Sequence, residues 1–473
     1  RDSNKPSGIN THRADPLGAE GVHEWLCRRY GALSIHQRLD KETSGVMVFG
    51  RSRVADQSLS RQFASHQVRK EYLLLTARRP TRRVFVARSG EAATEFELLQ
   101  SIGNRFLLRA SPLTGKRHQI RRHAAENGFP ILGDTLYGGE PASRLMLHAH
   151  RLVLEHPASG EPLKFHASIP AVFERDDPLV AASEFRELIF GEDTTAFRLI
   201  SGAADGFANV NVDFYDGRLL VQWLGEHADA GFYDRLQGSA VYEQICTKQR
   251  RTVPRCVRGT AEGRFVVQEN GVKFLVAFGE GLSTGLFLDQ RENRWRLLHM
   301  DLRGKTVLNT FAYTCSFSVA AAKAGAITTN VDLSRNYLSW GMDNFRLNNL
   351  CVEYHEFLRG DVFDWLKRFA KSGRRWDMVI VDPPTFSSTK SGSRFQAARD
   401  YDQLVAQAAL LVAPGGWLFC SANQRTLSAE RLERCLKLCG REVIEREFVT
   451  LPFDFRTAEG EVPYLKSWWA QLR

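Results

Sequence analysis

A chain of 473 residues, 43% hydrophobic and 25% charged, exceeds what one core normally holds and predicts roughly two to four globular domains. It has no run of about 18 uninterrupted apolar residues and no secretory leader, which argues against a membrane span or export; the start at Arg1 rather than Met leaves room for a preceding targeting or RNA-binding segment. The net charge of +10 is uneven: residues 1–175 hold 27 Lys+Arg against 17 Asp+Glu, and residues 176–473 hold 37 of each, so the excess lies where a polyphosphate partner would be drawn by counterion release or where charge simply confers solubility.

In chain order, the first third reads as short β-branched and aromatic runs punctuated by Gly and Pro, at 46–49, 71–75, 83–87, 106–110 and 152–154. This predicts an α+β domain built on a mixed, mostly antiparallel sheet. The pattern breaks at Ile169-Pro170-Ala171 and the acidic stretch 174–178, ahead of a helical run at 179–189. Segments 197–200, 208–212 and 219–224 then read as strands of a small α+β module, with a Tyr215-Asp216-Gly217 turn joining two of them. From Lys305 on, buried strands at 307–309, 329–332, 378–382 and 417–420 alternate with helices such as 318–324 and 337–348, the pattern of a doubly wound, Rossmann-like α/β sheet. The expected domains are 1–175, then 176–276 as a linker helix and small module belonging with the C-terminal domain, then that domain itself, 277–473. Eight scattered cysteines without a CxxC pair predict no zinc or other metal site and a reduced, cytoplasmic protein.

The most informative stretch of the first domain is His36-Gln37-Arg38-Leu39-Asp40, followed by Thr43-Ser44-Gly45. An isolated Asp in a turn is ordinarily a cap or an ion-pair partner, but this one is accompanied, in order, by Lys5-Pro6-Ser7-Gly8, Lys70-Glu71-Tyr72, Gly115-Lys116-Arg117-His118-Gln119-Ile120-Arg121, Gly133-Asp134, Tyr137-Gly138 and Leu147-His148-Ala149. Together these blocks resemble the RluA family of pseudouridine synthases, with Gln37 inserted into the family's His-Arg-Leu-Asp. The resemblance implies Asp40 as the acid that engages the target uridine, Arg121 as its ion-pair partner and Tyr72 stacking on the base. It further implies that Arg38 holds the nucleotide out of the RNA stack and that Lys116, Arg117 and Arg122 contact RNA, with no cofactor needed. The cluster Arg78, Arg79, Arg82 and Arg83 reads as phosphate-contacting or as solvated surface; His118 and His148 read as structural or RNA-contacting.

In the last domain, the segment from Asn309 through Phe311 and Tyr313 to Ser316 follows a strand and opens a helix, and Asp332 ends the next strand. A strand-end turn with an acid for ribose hydroxyls is nucleotide-binding logic, weak on its own. Around it stand Thr284-Gly285-Leu286-Phe287-Leu288-Asp289-Gln290-Arg291, Gly360-Asp361-Val362 and Val381-Asp382-Pro383-Pro384-Thr385-Phe386. The set, from about Phe197 to the C-terminus, resembles class I methyltransferases of large-subunit ribosomal RNA, the RlmI and RlmK type. It implies S-adenosyl-L-methionine as cofactor, cradled by Asn309, Phe311 and Tyr313, with Asp332 on its ribose, Asp361 by the adenine and Asp289, Gln290 and Arg291 over its methionine end. Asp382 would line the meeting point of donor and target base. The family's loop usually has Gly where Cys315 stands, so a Cβ there is expected to weaken cofactor binding unless the loop shifts.

Carbon methylation of cytosine needs a thiolate beside the ring. In cytosine-methylating relatives the cysteine follows Phe-Ser in the strand that here reads Phe419-Cys420-Ser421-Ala422-Asn423-Gln424-Arg425; Ala422 holds that place, and Ser421, Asn423 and Arg425 resemble the guanine-N7 methylating relatives. Guanine is the expected target, and cytosine, through Cys420 or Cys315, the alternative. The combined expectation is a bifunctional enzyme of 23S-type ribosomal RNA. One competing reading makes one half a silent RNA-binding module, on the strength of Gln37 and Cys315. Another, a DNA-modifying enzyme, rests only on basic charge and the Asp-Pro-Pro-Thr motif.

Overall fold

The computed structural model describes residues 2–225, 229–247, 249–388, 394–458 and 460–473. It divides into two units, Arg1–Phe190 and Gly191–Arg473. The helical run expected to open the second half instead belongs to the first. Helix Pro178–Ile189 is N-capped by Asp177, whose Oδ1 accepts from Leu179 N at 2.8 Å, and it lays Val180 and Ala181 on the core formed by Leu74, Phe96, Leu108, Phe129 and Phe173.

Among the described residues the first unit is built on a nine-stranded sheet, in the order Asp2–Lys5, Ser44–Gly50, Leu147–Glu155, Arg69–Thr76, Arg105–Pro112, Ala92–Ile102, Val84–Ser89, with Ser34–Ile35 and Pro162–His166 joined alongside. Every pairing is antiparallel except Ser44–Gly50 with Leu147–Glu155. That parallel contact explains the glycine after Thr43-Ser44: Gly45 has φ 121°, and a Cβ on it would lie 2.2 Å from the Ala149 carbonyl oxygen.

The second unit opens with a five-stranded sheet, Ala196–Ser201, Val210–Tyr215, Arg218–Trp223, Ala240–Ile245 and Arg255–Arg258, followed by the hairpin of Phe265–Glu269 with Val272–Val276. Asp216 and Gly217, with φ of 50° and 83°, make the tight turn between its second and third strands. A seven-stranded sheet comes next, in the order Glu356–Arg359, Ile327–Asp332, Thr306–Thr310, Trp376–Val381, Val412–Ala422, Lys466–Leu472, Val443–Val449. Six of its strands run parallel, and Lys466–Leu472, between Val412–Ala422 and Val443–Val449, runs antiparallel to both neighbours. Counted within that sheet the order is 3-2-1-4-5-7-6, so the winding reverses between Thr306–Thr310 and Trp376–Val381, where doubly wound sheets open a crevice at their carboxyl ends. No helix among the described residues is long and apolar enough to cross a membrane.

Candidate active sites

In the first unit Asp40 lies on the connection between Ser34–Ile35 and Ser44–Gly50. Leu39 is buried and its backbone is clasped by Thr11, whose hydroxyl donates to the Leu39 carbonyl at 3.0 Å and accepts from its N–H at 3.1 Å. With Leu39 turned inward, Arg38 is left exposed and Asp40 at the surface edge. The inserted Gln37 is absorbed locally, its amide donating to the Val46 carbonyl at 3.3 Å.

Arg121, on helix Gln119–Glu126, brings Nη1 to 3.5 Å from Asp40. Its Nε and Nη2 are both held at 2.7 Å by the fully buried carboxylate of Asp134. This bidentate fork fixes the guanidinium plane and leaves one edge for Asp40. The Tyr137 ring lies under Arg121, 5.2 Å from its Cζ. The Tyr137 hydroxyl meets His118 Nδ1 at 3.1 Å, and His118 Nε2 is 3.7 Å from Asp40. Tyr72 follows a register shift in strand Arg69–Thr76; burial, and then the charge of Asp40, hold its hydroxyl above the ordinary range. Asp40, Tyr72 and Arg121 thus converge from three elements. Asp134 and Tyr137 stand in the quoted motifs, but only the fold shows their grip on Arg121. His148 is buried against the Ser44 hydroxyl at 2.9 Å, and desolvation pushes it down to about 3.

The basic residues divide. Arg78, Arg79, Arg82, Arg83 and Arg117 are exposed. Lys116 pairs with Glu91 at 3.2 Å, and Arg122 reaches Ser89 Oγ at 3.3 Å and Glu126 at 3.8 Å. One residue past Arg121 on a helix is a turn of about 100°, so Arg122 faces the strand Val84–Ser89 rather than Asp40.

In the second unit the turn after Thr306–Thr310 carries three non-glycine residues with positive φ, Phe311 at 55°, Tyr313 at 49° and Cys315 at 59°. Each costs on the order of 1–2 kcal/mol for an L-residue, and the surroundings enforce them. Ala312 N donates to the Val331 carbonyl at 2.9 Å, Tyr313 N to Asp332 Oδ2 at 2.9 Å, and the Thr314 hydroxyl to the Gly285 carbonyl at 2.6 Å. Asp332 also accepts from Ser334 N at 2.8 Å, yet desolvation still raises its carboxyl above the ordinary value. Cys315 takes the left-handed conformation a glycine would, and its side chain is received by Gly341, where a Cβ would lie 2.5 Å from Sγ. The expected obstruction is therefore taken up on the helix Arg335–Leu347.

Asn309 is buried and donates to Ser318 Oγ at 2.8 Å. Asp361 caps helix Val362–Ser372 by accepting from Phe363 N and Asp364 N, and Gly360 N, bonded to the Asp332 carbonyl at 3.0 Å, keeps it beside Asp332. Gln290 bridges the crevice, donating to Asp382 Oδ2 at 3.1 Å and to Ser421 Oγ at 2.8 Å, and is itself oriented by Asn293 at 2.7 Å. Asp289 accepts from the Tyr464 hydroxyl at 3.0 Å. Burial, and then the nearby charge of Asp289, push Asp382 up to about 7. Arg291 departs from expectation: its guanidinium is buried in an ion pair with Asp454. Sequence reasoning singled out Ser421 only as part of the Ser421, Asn423, Arg425 run, not as a partner of Gln290, and passed over Tyr464. Cys420 alternates with Ser421 and so turns to the opposite face of the strand, buried near Tyr401 and Cys435 with its thiol pushed well above the ordinary range.

A reversing parallel sheet with a strained strand-end turn, an acid ending the next strand and a buried carboxylate is the arrangement of the class I methyltransferases. Residues 239–451 match the family model described as S-adenosylmethionine-dependent methyltransferase, and residues 3–126 the one described as RNA pseudouridylate synthase. Ribosomal RNA large subunit methyltransferase K of Neisseria meningitidis serogroup B is 42% identical over 243 residues, 49% of this chain and 68% of that protein. YwbD of Bacillus subtilis, provisionally assigned as a ribosomal RNA large subunit methyltransferase, is 36% identical over 321 residues, 64% of this chain and 81% of that protein. The crystal structure of SMU.776, provisionally classed as a methyltransferase and complexed with SAH, superposes with a TM-score of 0.55 and 26% identity over 68% of this chain and 87% of that one. The chain belongs to the S-adenosylmethionine-dependent ribosomal RNA large subunit methyltransferase family and carries an RNA pseudouridylate synthase domain ahead of it.

The methyltransferase uses S-adenosyl-L-methionine, and the crevice fits that group. The φ of 96° at Gly285 and the Trp340 ring, 2.5 Å from where a Cβ would stand, leave backbone alone to form that wall. The carboxyls of Asp289 and Asp382 suit a cationic sulfonium and ammonium.

Proposed function

We propose that this chain is a bifunctional modification enzyme of bacterial large-subunit ribosomal RNA, isomerising one uridine through Asp40 and methylating a second nucleotide at the crevice around Asp382. The observation that carries the reading is that each unit closes a candidate site from its own residues. In the first, Arg121 poised by Asp134 orients Asp40, and Tyr72 offers a ring beside it. In the second, bound S-adenosyl-L-methionine would supply an electrophilic methyl group, while Gln290 and Asp382 line the point where donor and target base meet.

For the base, the geometry favours guanine, methylated at N7. Cys420 and Cys315 are fully buried with thiols held well above the ordinary range, which argues against a thiolate adding to cytosine. A ring nitrogen already carries its lone pair and needs only an in-line donor. Asn423 is exposed, and its Oδ1 accepts from the Thr385 hydroxyl at 2.9 Å, which leaves the amide N–H groups to donate to an acceptor edge such as guanine O6.

The test is mass-spectrometric mapping of ribosomal RNA from cells lacking the protein, complemented with wild type, Asp40→Ala or Asp382→Ala. One pseudouridine should vanish with the first change and one methyl group with the second. If wild type restores only one modification, the two-enzyme reading fails.

A further inference from the structure

The second unit carries only a small basic excess, 36 Lys+Arg against 33 Asp+Glu, but its charge is not uniform. Between Glu243 and Glu262 the sequence holds five Lys/Arg and no acidic residue. Within this stretch, strand Ala240–Ile245 runs into a tight return: Thr252 N donates to the Ile245 carbonyl at 3.0 Å, Cys246 and Arg251 form a bridge, and Thr247 N donates to the Arg250 carbonyl at 2.8 Å. Arg255 and Arg258, beyond the return, are committed, the first to Glu243 at 3.1 Å and the second to the Tyr233 and Leu236 carbonyls. Arg250 and Arg251 are exposed; the Arg251 side chain also bonds the Cys246 thiol, and its charge reaches the buried Asp213.

This turn is fastened to the methyl-transfer crevice. Gln244 donates to the Thr252 carbonyl at 2.7 Å and to the Leu282 carbonyl at 3.1 Å. From Leu282 the chain leads to Gly285, whose N–H donates to the Tyr313 hydroxyl at 3.0 Å and whose carbonyl accepts from Thr314. A few hydrogen bonds thus tie the arginine turn to the strained turn at the sheet's reversal. The Arg251 charge is also felt at Tyr313.

We propose that Arg250 and Arg251 form a phosphate-binding ridge that docks the backbone of the substrate RNA beside the methyl-transfer crevice, so that the second unit grips RNA without relying on the basic first unit. Two adjacent exposed guanidinium groups on a fixed return suit successive phosphates of a strand; the acid that feels Arg251, Asp213, is already paired with Arg198. A cofactor carboxylate would need only one of them, and that one desolvated. The inference rests on the reading of the crevice as an RNA methyltransferase site.

The test uses the full chain carrying Asp40→Ala and an unmodified large-subunit ribosomal RNA transcript, with methyl transfer followed at several salt concentrations. Arg250→Glu with Arg251→Glu should raise the KM for RNA on the order of tenfold, leave kcat within about twofold, and flatten the log–log salt dependence by about 1.4, the value for two single-strand phosphate contacts. Arg250→Lys with Arg251→Lys should restore most of both, and the affinity for SAH should be unchanged. If the parent protein methylates the transcript and the reversed variant matches it in KM and salt slope, the ridge is refuted. The same holds if SAH affinity falls in place of RNA affinity. A parent that methylates no ribosomal RNA refutes the functional reading itself.

Discussion

Asp382→Asn is expected to stabilise the second unit while abolishing its methyl transfer, and the size of the effect should depend on pH in a calculable way. The folded protein holds the Asp382 proton up to about 7, whereas an unfolded chain releases it near 3.9. Between those values the native state binds more protons than the unfolded one, so stability falls as pH rises, and above about 7 the loss is complete. Three units at about 1.4 kcal/mol each give a burden of about 4 kcal/mol at pH 8.5, against about 1.5 kcal/mol at pH 5. Asparagine is a neutral isostere that still presents an oxygen to Gln290, so it escapes this burden. Eight of the nine tryptophans lie in residues 191–473, so tryptophan fluorescence during thermal unfolding reads that unit. The melting gain of the variant over wild type should be larger at pH 8.5 than at pH 5 by about 5–10 °C, from about 2–4 °C per kcal/mol in a unit of this size. Any pH-independent effect of the substitution cancels in that difference. An equal gain at both pH values, or a variant less stable at pH 8.5, would refute the assignment of a strained, proton-holding carboxylate.

Asp134→Asn removes the charge that locks Arg121 and should cost about 3–5 kcal/mol of interaction in a buried pair. Pseudouridine formation should drop by at least about 10²-fold, with methyl transfer by the same protein unchanged. Gly341→Ala places a methyl against Cys315 Sγ and should destabilise the second unit by about 1–3 kcal/mol, weakening SAH binding in calorimetry. Adding Cys315→Gly should restore both, and additive losses would show that Gly341 does not receive the thiol. Cys420→Ala should lower stability by about 1–2 kcal/mol but keep methyl transfer within about threefold; complete loss of turnover would revive a thiolate mechanism. Because Asp382 loses its proton at about 7, the preference for cationic donor over neutral SAH should rise with pH through that value. Competition binding at pH 6 and 8 checks this, and a flat ratio would contradict it.

Motif order singled out Asp40, Tyr72 and Arg121, which the fold brings together, and alternation of strands and helices announced the doubly wound sheet, because both leave marks in sequence that short-range chemistry can read. What escaped depends on long-range geometry. Asp134 was visible as a letter in a motif, but the fork it makes with Arg121 exists only once helix Gln119–Glu126 and the loop after it are folded together. Period-two alternation correctly put Cys420 and Ala422 on one face and could not say that Ser421 owns the face toward Gln290. Left-handed backbone is normally announced by glycine; Phe311, Tyr313 and Cys315 adopt it without one, held by Asp332, Gly285 and Gly341. The domain boundary slipped because Pro and acidic residues mark a chain break equally well before a helix that packs backward as before one that packs forward.

The two sites present a carboxylate in opposite ways, and each suits the chemistry proposed for it. Asp40 has a guanidinium 3.5 Å away whose other edge is spent on Asp134, so its counter-charge is fixed in place and travels with the protein. Asp382 has an amide, a hydroxyl and a second carboxyl for neighbours, and the nearby cation, Arg294, is already spent on Glu269. A site that attacks sugar or base needs its anion supplied and aimed before the RNA arrives. A site that receives a cationic donor gains from an anion left unpaired, because neutralisation then occurs only on binding and is given up when the donor becomes a neutral thioether. Under the proposed function, the instability of Asp382 in the free protein would be a source of discrimination between donor and product, which a permanent arginine partner would erase.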